Sequence, residues 1–201
     1  GLHTINAYFN DIVATQIHDE FGEVDLVTAS NVFAHSDKLE EITKNVFVIL
    51  KKGGTFIIEV QYLVDTISTL TFDNIYHEHV NFWSVTSLNT FFNNLGFFIN
   101  RVEHIDTHGG SIRVYVQSVA SPDSTLDKFL ENEKTIGVDT INFYKDFSTK
   151  IESIKQNVRI NLELLKQKHS LIAGYGAPAK ATTSLNYFGI NGSDIGYIIE
   201  D

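Results

Sequence analysis

Four ionisable side chains stand in a row at Tyr76-His77-Glu78-His79, inside the aromatic stretch FDNIYHEHVNFWS. A histidine titrates near neutrality, so it can take a proton from a carbon activated by a neighbouring carbonyl. A phenol beside it can donate a hydrogen bond to the enolate oxygen that results. On an extended backbone His77 and His79 would share one side of the chain, and Tyr76 and Glu78 the other. The same residues also suit a solvated loop, or core histidines bonded to backbone. A metal pair at H-x-H spacing is a further alternative, although no third ligand is indicated.

Three other motifs hold residue types that bind or react. Asn31-Val32-Phe33-Ala34-His35 follows a strand-like run, and in open α/β sheets ligands bind at the carboxyl ends of strands. That location favours Asn31 and His35 as site residues over a plain turn in which Asn31 satisfies its own backbone. Thr107-His108-Gly109-Gly110-Ser111 reads as a hairpin turn leading to Arg113, which alternation places opposite Ile112, Val114 and Val116; by itself it suits a solvated strand face. Gly174-Tyr175-Gly176-Ala177-Pro178-Ala179-Lys180 joins a strand to a helix. Glycines let backbone approach a phosphate, a helix start offers free N–H groups, and Lys180 adds a full charge. The pattern G-x-G-x-x-A also matches a dinucleotide fingerprint, with Asp201 placed as a ribose partner.

The elements that must position these motifs follow from periodicity. Gly1 to Phe9 is expected to include a short strand, and Asn10 to Phe21 a helix. Val24–Ser30 and Thr55–Val60 are apolar, β-branched runs that suit strands buried on both faces of a parallel sheet. Between them Leu39, Ile42, Val46 and Ile49 recur at helical spacing, with Asp37 and Glu40 as a start signal and Lys51-Lys52-Gly53-Gly54 as a stop. Strand, helix and strand make a βαβ unit. Leu88, Phe91, Phe92 and Leu95 mark another helix, stopped by Gly96. Phe98–Ile105 and Ser111–Gln117 read as an antiparallel pair. Pro122 opens a helical stretch from about 124 to 168, with an apolar stripe of Phe147, Ile151, Ile154, Val158 and Leu165. A second βαβ unit follows: a strand at Ser170–Gly174, a helix at Ala177–Tyr187 and a strand at Gly196–Glu200.

The totals exclude several classes. The chain has 201 residues and a net charge of -10, which opposes broad contact with nucleic acid. With no cysteine, disulfides and thiolate metal sites are ruled out here. No apolar run approaches the length of a membrane span and no signal peptide opens the chain, so a cytoplasmic protein is expected. The absence of methionine and the start on Gly1 suggest a piece of a longer chain. Oligomeric state is left open.

NVFAH, YHEH, HGGSIRVYV and GYGAPAK, in this order, resemble the S-adenosylmethionine-dependent C-methyltransferases that act on nucleotide-linked keto-deoxysugars in antibiotic biosynthesis. The resemblance covers essentially the whole chain. It implies an α/β fold: residues 1–121 as the latter part of a class I methyltransferase domain, whose Rossmann-like sheet closes on an antiparallel hairpin, residues 122–169 as a helical bridge, and residues 170–201 as the start of a second Rossmann-like domain that helps hold the nucleotide-sugar. It implies His79 as general base, with Tyr76 and His35 stabilising the enolate and keto oxygen, and Glu78 orienting the histidine or a sugar hydroxyl. Asn31 would lie near the methyl donor or the sugar, and Arg113, Tyr175 and Lys180 near the diphosphate. The family's zinc domain and its glycine-rich donor loop have no counterpart in these residues. The resemblance therefore places zinc only in a preceding domain, and implies that a longer parent methylates while this segment alone binds the donor weakly. A nicotinamide-dependent oxidoreductase built on GYGAPA, and a non-catalytic nucleotide-sugar-binding module, are the alternatives.

Overall fold

The computed structural model describes residues 1–169 and 171–200. Its main sheet has four strands in the order β1-β2-β4-β3, where β1 is Val24–Ser30, β2 Leu50–Gln61, β3 Phe98–Ile105 and β4 Ser111–Gln117. β1 runs parallel to β2, and β4 is antiparallel to both β2 and β3. The expected parallel pair closed by a hairpin is therefore formed.

Alternation decides which face of the sheet is dry. Phe56, Ile58 and Val60 of β2 and Ile112, Val114 and Val116 of β4 are all 1% exposed or less, while their odd-even neighbours Glu59 and Arg113 point to the other face. Helix α4 (Val85–Asn94) lays Leu88 and Phe92 on the dry face. Its start is fixed by Ser84 and Ser87, whose side chains each accept the other's backbone N–H.

Four expectations about the first part are corrected. Gly1 to Phe9 forms no strand, because no strand lies alongside to take its backbone hydrogen bonds. Helix α1 (Asp11–Phe21) follows it, capped by the Asn10 side chain on the Val13 N–H at 3.0 Å. β1 is not buried on both faces: Leu26 is 51% exposed, since the strand is the sheet's edge and has a neighbour on one side only. Asp37 and Glu40 do not cap α2 (Leu39–Ile49), whose N-cap is Lys38 with no side-chain cap bond. Nor do Lys51 to Gly54 end that helix. They belong to β2, which starts at Leu50 opposite Val24, and Lys51 reaches across to the Asp25 carboxylate at 2.9 Å.

Between β2 and α4 the chain makes a loop holding a short helix, α3 (Leu63–Ser68), and one 3-10 turn at Phe72–Asn74. The expected helical stretch is two helices, α5 (Ser124–Ile136) and α6 (Ile141–Lys168), separated because Gly137 takes a left-handed conformation at φ 77°. Of the apolar stripe on α6, only Ile151 is buried, at 3% exposure. The second unit is shorter than expected: β5 is Ala173–Tyr175, α7 Ala179–Phe188 and β6 Tyr197–Ile199, with β5 and β6 parallel. Ser170 and Asp201 lie outside the described residues. This unit is held to α6 by Asp194, whose carboxylate pairs with Arg159 at 3.0 Å and Lys166 at 3.2 Å. Phe188 packs it against Phe72, ring centroids 5.2 Å apart.

Candidate functional site

A cavity of about 210 Å3 lies at the carboxyl ends of β1 and β2, lined by Asn31, Ala34, His35, Val60, Gln61, Tyr76, His79, His108 and Lys180. Five residues singled out as site candidates meet here from three separate segments: Asn31, His35, Tyr76, His79 and Lys180. Asn31 leaves the end of β1 at φ 54°, a left-handed conformation that asparagine tolerates better than most residues, and its N–H donates to the Glu59 carbonyl at 2.9 Å.

The histidine loop does not run extended. The His79 N–H donates to the Tyr76 carbonyl at 3.0 Å, closing a turn that brings Tyr76 and His79 together and turns His77 out to solvent. The Tyr76 and His79 rings are 4.5 Å apart, and the His35 and His79 rings 5.1 Å. An extended backbone would put His77 and His79 on one side; the turn instead sets the phenol of Tyr76 against the His79 imidazole.

Each of the two imidazoles has one nitrogen fixed. His79 Nδ1 is 2.7 Å from the Asn74 carbonyl, and His35 Nδ1 is 2.8 Å from the Glu78 carbonyl. A carbonyl only accepts, so both Nδ1 atoms carry the hydrogen and Nε2 is the lone-pair nitrogen in the neutral ring. The Glu78 group that meets a histidine is its backbone carbonyl, and the ring is His35 rather than His79. Its carboxylate is over half exposed and lies 4.0 Å from His77.

Arg113 and Tyr175 do not line the cavity. The Arg113 guanidinium is held by Glu59, with Nη2 at 2.8 Å from the carboxylate, and that hydrogen bond holds its pKa above the ordinary value. Tyr175 is 74% exposed at the end of β5. In the loop before α7 the Ala177 N–H donates to the Glu200 carboxylate, so the chain's own anion takes that backbone donor. Lys180 reaches the cavity because α7 docks on the 72–74 turn, and it pairs with no carboxylate among the described residues.

Sequence reasoning missed Gln61 and Asn74. Gln61 ends β2, and the rule that ligands sit at the carboxyl ends of parallel strands could have found it. Asn74 acts through its carbonyl, which no side-chain pattern reveals.

A second, larger cavity of about 730 Å3 opens beside the first and shares His35 with it. Tyr8, Phe9, Val32 and Phe33 give it apolar walls, and Asp11, Asp37 and Glu41 give it carboxylates. Flat apolar walls with acidic groups suit a ligand that combines an aromatic base with positive charge. Among the described residues no group of three His, Cys, Asp or Glu is placed to hold a metal ion, and no helix is long and apolar enough to cross a membrane.

Comparison with known proteins supplies the family. A methyltransferase domain model matches residues 4–101, and a C-methyltransferase C-terminal domain model matches residues 106–201. The C-methyltransferase NovU of Streptomyces niveus is 31% identical over 198 residues, which is 97% of this chain and 47% of that protein. The chain belongs to the S-adenosylmethionine-dependent C-methyltransferase family. It spans about half the length of the curated relative it matches. Among solved structures, a SAM-dependent methyltransferase from Anabaena variabilis ATCC 29413 is 16% identical with a TM-score of 0.40, covering 54% of this chain and 55% of that one. Magnesium protoporphyrin IX methyltransferase (ChlM) from Synechocystis PCC 6803, with bound SAH, is 14% identical with a TM-score of 0.37, covering 48% and 46%. Membership in this family displaces the nicotinamide reading of GYGAPA.

Proposed function

We propose that the whole protein methylates a carbon next to the ketone of a nucleotide-linked keto-deoxysugar, with His79 as the base. The observation that carries this reading is the hydrogen bond from His79 Nδ1 to the Asn74 carbonyl, which leaves Nε2 as a proton acceptor in a cavity shared with a phenol and a lysine. His79 Nε2 takes the proton, and the C–H electron pair becomes the new C–C π bond as the carbonyl oxygen gains the charge. The Tyr76 hydroxyl donates to that oxygen. His35 offers Nε2, an acceptor in this tautomer and a donor once protonated. S-adenosylmethionine, when bound, supplies an electrophilic sulfonium methyl. Tyr8, Phe9, Val32 and Phe33 would wall its adenosine and Asp37 and Glu41 face its positive charge, with Asn31 between donor and sugar. Holding the nucleophilic carbon in line is then the main work left to the protein.

In the same reading residues 1–121 are the later part of the methyltransferase domain, 122–169 bridge it to the next, and 170–201 begin a domain for the nucleotide. Lys180 meets the diphosphate, with Tyr175 and Arg113 nearer its edge. Arg113 does so only by leaving Glu59. The protein would work in the cytoplasm on a free nucleotide-sugar.

The test is deuterium uptake at the carbon beside the ketone when full-length protein and keto-sugar nucleotide are mixed in heavy water without methyl donor. Wild type should catalyse uptake, and His79→Ala should lose it by ~10²–10⁴-fold while sugar-nucleotide affinity stays within about twofold. Uptake by the variant at the wild-type rate removes His79 from the base role. Tight sugar-nucleotide binding with neither uptake nor methyl transfer would instead mark a binding module.

A further inference from the structure

Glu133 stands on α5, outside both cavities, and is 1% exposed. A carboxylate this far from water is tolerable only where its oxygens accept hydrogen bonds. One oxygen accepts the Tyr62 hydroxyl at 2.9 Å and the Val85 N–H at 2.6 Å; the other accepts the Thr86 N–H at 2.8 Å. Burial and the adjacent Glu133 charge push the Tyr62 phenol far up, so it stays a donor.

These three donors are not scattered. Tyr62 directly follows β2, and Val85 and Thr86 open α4, so they are the two ends of the loop that carries Asn74, Tyr76 and His79. A backbone bond closes the same neck, with the Leu63 N–H on the Trp83 carbonyl at 2.9 Å, while the Tyr62 N–H is tied at 3.1 Å to the Gly110 carbonyl of the β3–β4 turn. Helix capping alone does not account for the arrangement. Ser84 already caps the Ser87 N–H, and a solvated helix start would leave Val85 and Thr86 to water. Bringing in the Tyr62 hydroxyl as third donor makes the carboxylate a tie between loop ends.

We infer that Glu133 is a positioning residue for the imidazole site, a buried clamp that holds both ends of the 62–85 loop so that Tyr76 and His79 stay against His35 and Gln61. It touches no reacting atom. The functional half of this inference rests on the reading of His79 as base; the clamp itself rests on geometry.

Glu133→Gln in the full-length protein tests it. Glutamine offers one accepting oxygen and an NH2 group that cannot accept, so at least one of the three donors is stranded in the interior. Hydrogen–deuterium exchange of residues 63–84 should speed up about tenfold, while β2 and β4 keep their protection. kcat should fall by about the same factor with the KM for methyl donor unchanged. Glu131→Gln, on the exposed side of α5, should change neither. Tyr62→Phe should shift both readouts in the same direction by less, and it carries the test if Glu133→Gln does not fold. Faster exchange confined to α4 and α5, with the loop unaffected, would reduce Glu133 to a helix cap and overturn the inference. Loop exchange raised with undiminished turnover overturns the positioning role alone. A wild type that transfers no methyl group refutes the proposed reaction instead, and the exchange readout still decides the clamp.

Discussion

The two parallel strand-helix-strand units of this chain, β1-α2-β2 and β5-α7-β6, carry the same local signals and reach opposite ends of the burial scale. In the first, β2 spans twelve residues, has a strand on either side, and buries Phe56, Ile58 and Val60 to 1% exposure or less. In the second, both strands are three residues long, and Tyr197, Ile198 and Ile199 of β6 are 52%, 43% and 49% exposed. Local pattern selects the unit; neighbours on the sheet edges and faces decide whether it owns a core. The first unit is pinned by packing and supplies His35 and Gln61. The second is held by a few polar and aromatic contacts and supplies Lys180.

The sharpest way to break this contrast is to delete the same atoms in both units. Ile58→Ala in β2 should cost about 2–5 kcal/mol of unfolding free energy, because Ile58 is fully buried between β1 and β4 and the void cannot collapse easily. Chemical denaturation followed by circular dichroism reads this directly. A loss under about 1 kcal/mol would mean that the first unit is as loosely built as the second.

The same contrast explains what was legible beforehand. β3 and β4 were placed to the residue and α4 by its buried face and its stop, since alternation at Ile112, Val114 and Val116 and the Leu88/Phe92 spacing reflect burial directly. The run Val24–Ser30 misled, because an apolar strand reads the same whether or not a neighbour covers its outer edge. Within the site, His35, Tyr76 and His79 were legible from residue type and from their place after strands or in the aromatic loop. The turn that sets Tyr76 against His79 was not, because a turn closed by backbone atoms leaves no signature in side chains. Gln61, Asn74 and Glu133 were missed for a related reason: their work depends on where a strand stops, on a carbonyl, and on a contact spanning 71 residues.

Lys180 joins the two units in space. In the proposed reading it is the one cation that the second unit sends into the cavity of the first. Lys180→Ala should weaken sugar-nucleotide binding about tenfold, the scale of one charge-assisted hydrogen bond, and flatten the salt dependence of that binding. Calorimetry at two ionic strengths measures both. An unchanged dissociation constant would leave the second unit with no part in the site.

Attachment of the second unit should respond to acid in a defined direction. Asp194 is held below the ordinary carboxylate range, first by the Asn191 N–H and then by Lys166 and Arg159. A carboxyl lowered in the folded state stabilises above its unfolded value of about 3.9 and loses that contribution as pH falls through the lower folded value. Docking of α7 and β6 on α6 should therefore persist at pH 4 and loosen only below it. Exchange protection around residues 189–195, followed from pH 5 to 2.5, reports the transition. In Asp194→Asn that acid transition should disappear. Loosening centred near pH 6 would point to a histidine instead.

The smallest effect is expected at the mirror of the first substitution. Ile198 touches Gly174 closely enough that an added Cβ there would sit 3.3 Å from its Cγ1, yet nearly half of Ile198 remains exposed. Ile198→Ala therefore removes methyl groups that are already partly hydrated, and it leaves no closed void. The loss should stay within about 0.5–1 kcal/mol, with the Ile58→Ala cost several times greater in the same assay. Since the deleted atoms are identical, the ratio measures how much the surroundings contribute. Equal costs at 58 and 198 would show that β6 is covered in the folded protein by something beyond these residues, and that the second unit has a core after all.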